Sequence, residues 1–156
     1  MKFRLLAAGT RMPNWVAEGV EEYNKRLPGD FALHLVEIPL SRRSKNSAPE
    51  LAVRKESEVM LGHIQPGDYV IALDVNGRNY NTVEFAQRLE FLQVQGRNVA
   101  FLIGGPDGLG DKCLARADER WSLSSLTLPH PLVRIVLSEQ FYRSWSLLRN
   151  HPYHRE

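Results

Sequence analysis

The sequence has 156 residues, 43% of them hydrophobic and 24% charged, proportions that exclude a disordered or collagen-like chain and fit a folded domain. A chain of this length buries about 68–70% of the surface its unfolded form exposes, which is enough for one sizeable core. With 20 basic and 18 acidic residues the formal charge is only +2, too even for a broad nucleic-acid stripe, so any RNA contact must be local.

Lys2–Ala8 is an apolar run closed by Gly9 and Thr10 and reads as a buried strand. Pro13 opens a helix over Asn14–Leu27, where Trp15, Val16, Val20, Tyr23 and Leu27 keep helical spacing until Pro28 and Gly29 stop it. Phe31–Ile38 alternates as a second strand. The polar, basic segment Ser41–Ser47 has no large apolar side chain to anchor it and is expected to be mobile. Pro49 suits the first position of a helix running to about His63. Tyr69–Asp74 is a compact strand, followed by a turn at Asn76 and Gly77.

Thr82–Gln95 forms the third helix, ended by Gly96. Asn98–Ile103 is a fourth strand, leading into the glycine-rich turn Gly104–Gly110 and a short helix to about Glu119. Trp121–Leu128 reads as a fifth strand running into a loop, and Pro129, His130 and Pro131 lead into a last helix ending near Arg149. Strands alternating with helices, each strand nearly all apolar, predict an α/β fold: one domain over 1–156, with a mainly parallel sheet and helices on both faces. The last helix carries Leu132, Val133, Ile135, Val136, Leu137, Phe141, Tyr142, Trp145, Leu147 and Leu148. So little polar face remains that it needs cover on two sides, and a dimer interface is expected there.

The glycine-rich turn lies between a strand and a helix, where open α/β sheets bind ligands. It is not a dinucleotide fingerprint, because Cys113 stands where the third glycine belongs. Nor is it a phosphate loop, because Asp111 replaces the lysine. A nucleoside-like ligand without a phosphate chain fits better, and S-adenosylmethionine is one; an ordinary strand-to-helix turn is the bland alternative. Ser122, Ser124, Ser125 and Thr127 interleave with Leu123, Leu126 and Leu128, so the segment could offer backbone groups to an adenine while the leucines pack on its ring. No base stands in nucleophile-activating context of these serines, which sets a hydrolase aside.

The five histidines form no metal-binding pattern. His130, between two prolines beside the proposed ligand segment, is the suggestive one. The tail Asn150–Glu156 would pass for a frayed end, although its aromatic and cationic groups suit an unpaired RNA base and its phosphate. The single Cys113 fits a reducing compartment. Lys2–Ala8 is too short for an export signal, and no stretch approaches the roughly 20 apolar residues of a membrane span, so a cytoplasmic protein is expected.

Three blocks carry a resemblance: residues 103–108 (IGGPDG), residues 121–134 (WSLSSLTLPHPLVR) and residues 150–155 (NHPYHR). Together with Ala8, Gly9, Thr10 and Trp15 near the start, they resemble the ribosomal RNA large subunit methyltransferase H family, of the knotted SPOUT class, over essentially the whole chain. The resemblance implies a SPOUT α/β fold with a trefoil knot in the C-terminal half, and an obligate homodimer packed through it. It implies an enzyme that uses S-adenosylmethionine to methylate N3 of a pseudouridine in 23S ribosomal RNA. The acceptor it implies is the assembled ribosome, with no membrane, DNA or metal involved.

Carried over residue by residue, it puts Leu73, Gly104, Gly105 and the run Leu123, Ser124, Ser125, Leu126, Thr127 and Leu128 around the cofactor. It also puts the tail against the partner subunit. In that reading His130 or His154 assists removal of the N3 proton, Tyr153 stacks the base, and Arg155 stabilises the developing negative charge or holds phosphate. A ribosome-assembly factor of the same fold without cofactor binding is the first alternative. A nucleotide-binding regulator, disfavoured by Asp111, is the second.

Overall fold

Alternation of side chains along the first strand, β1 (Phe3–Ala8), divides the molecule into two layers about a sheet. In the computed structural model, which describes residues 1–154, Phe3, Leu5 and Ala7 join one core cluster and Leu6 and Ala8 the other. The elements that follow are α1 (Asn14–Asn24), β2 (Leu33–Ile38), α2 (Pro49–Gly62), β3 (Tyr69–Asn79) and α3 (Thr82–Gln95). After them come β4 (Val99–Ile103), α4 (Asp111–Arg116), β5 (Glu119–Ser122) and α5 (His130–Leu148). All strand pairs among the described residues are parallel, in the order β2-β1-β4-β3-β5.

The larger core lies under α1, α3 and α5, where Phe3, Phe31, Phe101 and Phe141 meet edge to face and Trp121 packs on Phe85 and Phe101. Such aromatic pairs add about 0.5–1.5 kcal/mol each beyond their burial. The smaller core lies under α2 and α4 and contains Met60 and the buried Cys113. Both faces of β4 are therefore covered, and all five of its residues are buried. That is why its sequence reads as an unbroken apolar run rather than an alternating one. Helix α5 packs on both α1 and α3, so after the edge strand β5 the chain turns back across the sheet to reach its centre.

Several boundaries differ from expectation, each for an identifiable physical reason. The turn expected at Asn76 and Gly77 is a bulge inside a longer β3: Leu73 and Arg78 both pair with Trp121, and the residues between them loop out. A Cβ on Gly77 would lie 2.6 Å from the Arg120 carbonyl carbon, so only glycine lets β3 rejoin β5 so closely. The expected strand over Trp121–Leu128 is regular only for Glu119–Ser122. Beyond it the serines bond their own backbone, Ser122 Oγ donating to the Ser124 carbonyl (2.8 Å) and Ser124 Oγ accepting from Leu126 N–H (2.9 Å). Helix α4 stops at Arg116 because the Asp118 carboxylate and N–H bond the N–H and carbonyl of Val70 at 2.8 and 2.7 Å, starting the strand early. Helix α1 stops at Asn24, whose side chain accepts from Leu33 N–H (2.9 Å).

Candidate active site

Parallel strands deliver all their following loops to one edge of the sheet, and a cleft of about 570 Å³ opens there. That lies within the range of about 300–1,000 Å³ usual for small-ligand sites. Three segments build its walls: the β3 bulge with Leu73, Asp74 and Val75, the glycine loop after β4, and the chain from Trp121 to His130. Val133 of α5 and Leu114 of α4 complete the lining.

Glycine at 104 is demanded by the turn itself. A Cβ there would lie 2.3 Å from the Gly108 carbonyl carbon and 2.5 Å from the Leu109 nitrogen. Gly108 N–H donates to the Gly105 carbonyl (3.0 Å), and Gly108 takes a φ of +79° that suits glycine. The loop is thereby folded tightly enough to leave its backbone as the wall of the cleft.

The electrostatics of the lining are simple. Among the described residues of the lining there is no lysine or arginine, and Asp74 is the one carboxylate. Asp74 Oδ1 accepts from Asn76 N–H (3.2 Å), and Oδ2 lies 4.0 Å from Arg120 Nη1. His130, at the first turn of α5, has its Nδ1 buried without a hydrogen-bond partner. Burial and then the Arg134 cation hold its pKa below the ordinary histidine value, which keeps the imidazole neutral. Arg134 is 1% exposed; Nη1 donates to Glu37 Oε2 (2.6 Å) and Nη2 to the Gly9 carbonyl (2.7 Å), tying α5 to the ends of β1 and β2.

Of the residues expected from sequence, Leu73, Gly104, Gly105, Leu123, Ser124, Leu126, Thr127, Leu128 and His130 line this cleft. Ser125 is exposed and stands off the lining. Within the same chain the described part of the tail, residues 150–154, lies elsewhere. Tyr153 packs on Tyr142 at 4.5 Å between ring centroids, with Arg143 5.2 Å from its ring, and its hydroxyl donates to Glu139 Oε1 (3.1 Å). Burial and the Glu139 carboxylate push its pKa up to about 12, so the phenol keeps its proton at neutral pH. His154 Nδ1 is 2.8 Å from Ser146 Oγ. Arg155 lies outside the described residues.

Sequence reasoning missed Asp74 and Val75, because a strand ending before Asn76 and Gly77 has no bulge to turn them into a cleft. It missed Arg134 too, since a cation in an apolar helix passes for part of its solvated face.

The family model described as "Predicted SPOUT methyltransferase" matches residues 1–154. The chain belongs to the SPOUT methyltransferase family. The curated ribosomal RNA large subunit methyltransferase H of Marinomonas sp. (strain MWYL1) is 56% identical over 155 residues, covering 99% of this chain and 100% of that protein. The protein of the same name from Saccharophagus degradans is 55% identical, with the same coverage of both chains. Among solved structures, a methylase-family protein of Haemophilus influenzae Rd KW20 aligns with a TM-score of 0.57 at 11% identity, over 99% of this chain and 70% of its own. One from Neisseria gonorrhoeae aligns at 0.55 and 11%, over 98% and 95%. Likeness at that identity concerns the SPOUT fold alone.

A SPOUT methyltransferase needs a methyl donor, and the donor set of the cleft bears on which one. Apolar walls from Leu73, Leu109, Leu123, Leu126 and Leu128 suit a flat base, the exposed loop backbone suits its edges, and a single carboxylate suits a cationic ligand. The lack of a cation among the described lining residues disfavours a phosphate chain. Among the described residues no three His, Cys, Asp or Glu side chains gather as a metal site, and no helix is long and apolar enough to cross a membrane.

Proposed function

We propose that this protein is an S-adenosylmethionine-dependent methyltransferase that modifies N3 of a pseudouridine in 23S ribosomal RNA, acting as a homodimer on the assembled ribosome in the cytoplasm. The observation that carries the reading is the largely apolar, small-ligand-sized cleft at the strand ends of a chain whose curated relatives are named for methylating large-subunit ribosomal RNA. When bound, S-adenosylmethionine supplies a methyl group activated by a sulfonium.

The chain's own residues bind, orient and deprotonate. Leu73, the glycine-loop backbone and the 123–128 segment hold the nucleoside, and Asp74 faces the positive charge. His130, kept neutral by its surroundings, lines the cleft and serves as acceptor for the N3 proton of the target base. Tyr153, protonated at neutral pH, serves as a stacking and donor surface rather than a base. The tail reaches the cleft of a second copy, where Arg155 meets the developing negative charge. The half-buried apolar residues of α5, Leu132, Ile135, Val136 and Leu147, support a dimer seam along that helix. We read the whole chain as one catalytic domain. The return of residues 123–129 across the ends of β3 and β4 supports a trefoil knot there, an exception to the general rule against threaded chains.

Calorimetry with S-adenosylmethionine, followed by mass spectrometry of ribosomal RNA from cells lacking the protein, tests the reading. Micromolar or tighter binding and loss of one methyl group at a single pseudouridine are expected. An unchanged modification profile would overturn it.

A further inference from the structure

The basic segment after β2 was expected to be mobile, yet it is fastened at its centre. Arg43 lies between two carboxylates from two elements. Its Nη1 and Nη2 donate to Oε2 and Oε1 of Glu56 on α2, at 2.7 and 3.2 Å. Its Nε donates to Asp107 Oδ2 in the glycine loop at 2.8 Å. Glu56 is only 4% exposed and also accepts from Ser41 N–H (2.9 Å). A forked guanidinium on a buried carboxylate is a directional contact, unlike a surface ion pair. Arg43 further donates to the Ser41 carbonyl (3.0 Å), and the Ser44 and Ser47 hydroxyls close the next turn 2.6 Å apart. Leu40, at the start of the segment, sits so close to Gly105 that a Cβ there would meet it at 2.9 Å.

The loop is thus folded and joined to one wall of the cleft. Its other two cations are treated differently: Arg42 and Lys45 are exposed and make no hydrogen bond or ion pair among the described residues. In a chain with a formal charge of only +2, these two exposed cations stand on a loop that Arg43 ties to the glycine loop, one wall of the cleft. A base that enters the cleft must leave its stack, and the strand carrying it passes over the rim as single-stranded RNA. A loop ordered in advance loses little entropy when it binds.

Resting on the RNA reading above, we infer that the Ser41–Ser47 loop is a preformed phosphate grip: Arg43 clamps it to the glycine loop, and Arg42 and Lys45 take two phosphates of the strand that presents the target base.

The test uses the full-length protein and ribosomes from cells lacking it, with affinity measured between about 50 and 200 mM salt. Arg42→Ala/Lys45→Ala alters only exposed residues. It is expected to lower the slope of log affinity against log salt by about 0.7 per phosphate lost, as for single strands, with S-adenosylmethionine affinity unchanged. Asp107→Asn separates placement from charge counting. It removes a negative charge from the rim, which by charge alone would tighten RNA binding, but opens the clamp and is expected to weaken it. An unchanged slope in the double variant, or tighter binding by Asp107→Asn, overturns the grip while wild-type methyl transfer to the same ribosomes leaves the enzyme reading standing. Wild-type protein that transfers no methyl group to them overturns both.

Discussion

Replacing Arg134 with methionine tests whether the buried cation holds the wall of the cleft together. The side chain is 1% exposed and its guanidinium joins α5 to Glu37, Gly9 and, at 3.4 Å, Ala8. Removing one partner of a buried ion pair costs about 3–5 kcal/mol, and a hydrogen bond to a charged group contributes about 1.5–3 kcal/mol. Glu37 keeps 38% of its side chain in solvent and can be rehydrated, so the lower end applies. Methionine fills much of the space, which keeps any cavity small. A loss of about 3 kcal/mol is therefore expected in urea unfolding, read as a lower midpoint at constant slope.

The same variant should move His130. Arg134 is the second cause of its lowered pKa, after burial, so removing the cation should bring the imidazole part-way back towards its ordinary value in a proton NMR titration. The consequence for stability follows from linkage. With a depressed folded pKa, the unfolded chain takes up the proton first, so the contribution of His130 is complete above the reference value of 6.5 and is lost as pH falls below it. In Arg134→Met that loss on acidification should be shallower. A stability change below about 1 kcal/mol, with an unmoved His130 titration, would refute the assignment of Arg134 as the tie.

Asp74→Asn should weaken S-adenosylmethionine by about two- to fivefold, the worth of a partly exposed charge pair, and weaken the uncharged product S-adenosylhomocysteine less; equal losses by calorimetry would mean that the carboxylate holds a neutral group instead. Gly104→Ala should reduce donor affinity by at least about tenfold, a loss of about 1.4 kcal/mol in binding, because its Cβ would lie 2.3 Å from the Gly108 backbone. The control is Gly62→Ala at the end of α2, where nothing lies within 4 Å; it should leave donor binding intact and raise stability by up to about 1 kcal/mol.

The layered architecture was legible in the sequence because both its signals are local. Apolar runs such as Val99–Ile103 mark strands buried on two faces, and Asn81, Gly96 and Pro49 punctuate the helices where capping chemistry requires. The capping box at Asn81 and Glu84 is present on both sides, at 2.9 Å each. What escaped depends on pairing between distant segments. Nothing near Asn76 and Gly77 says that β5 will take up Arg78 and Asn79 after the bulge, and so nothing near them aims Asp74 into a cleft. Likewise the polar residues of Ser41–Ser47 gave no hint of order, because the anchor for Arg43 comes from Glu56 and Asp107, 13 and 64 positions away.

The tail poses the sharpest case of that kind. Residues 150–155 can be matched as a motif, but a motif carries no distance. Along α5 the rise of about 1.5 Å per residue sets Ser146, which holds His154, roughly 24 Å from His130. Held there, Tyr153 and His154 stand away from the cleft of their own chain. If two copies pair through α5 about a twofold axis perpendicular to that helix, the end of each helix that carries the tail comes beside the other's end that carries the cleft, and both sites are completed together. The exposed Trp15 on α1, which packs beside α5, would then be covered by the second copy. Mixed dimers decide the point. One subunit carries Gly104→Ala with its tail intact, and the other keeps its cleft but ends after Arg149. At donor concentrations too low to fill the Gly104→Ala cleft, tails acting across the interface leave one complete site per mixed dimer and restore methyl transfer, whereas tails acting within their own chain leave none and the mixture stays inactive.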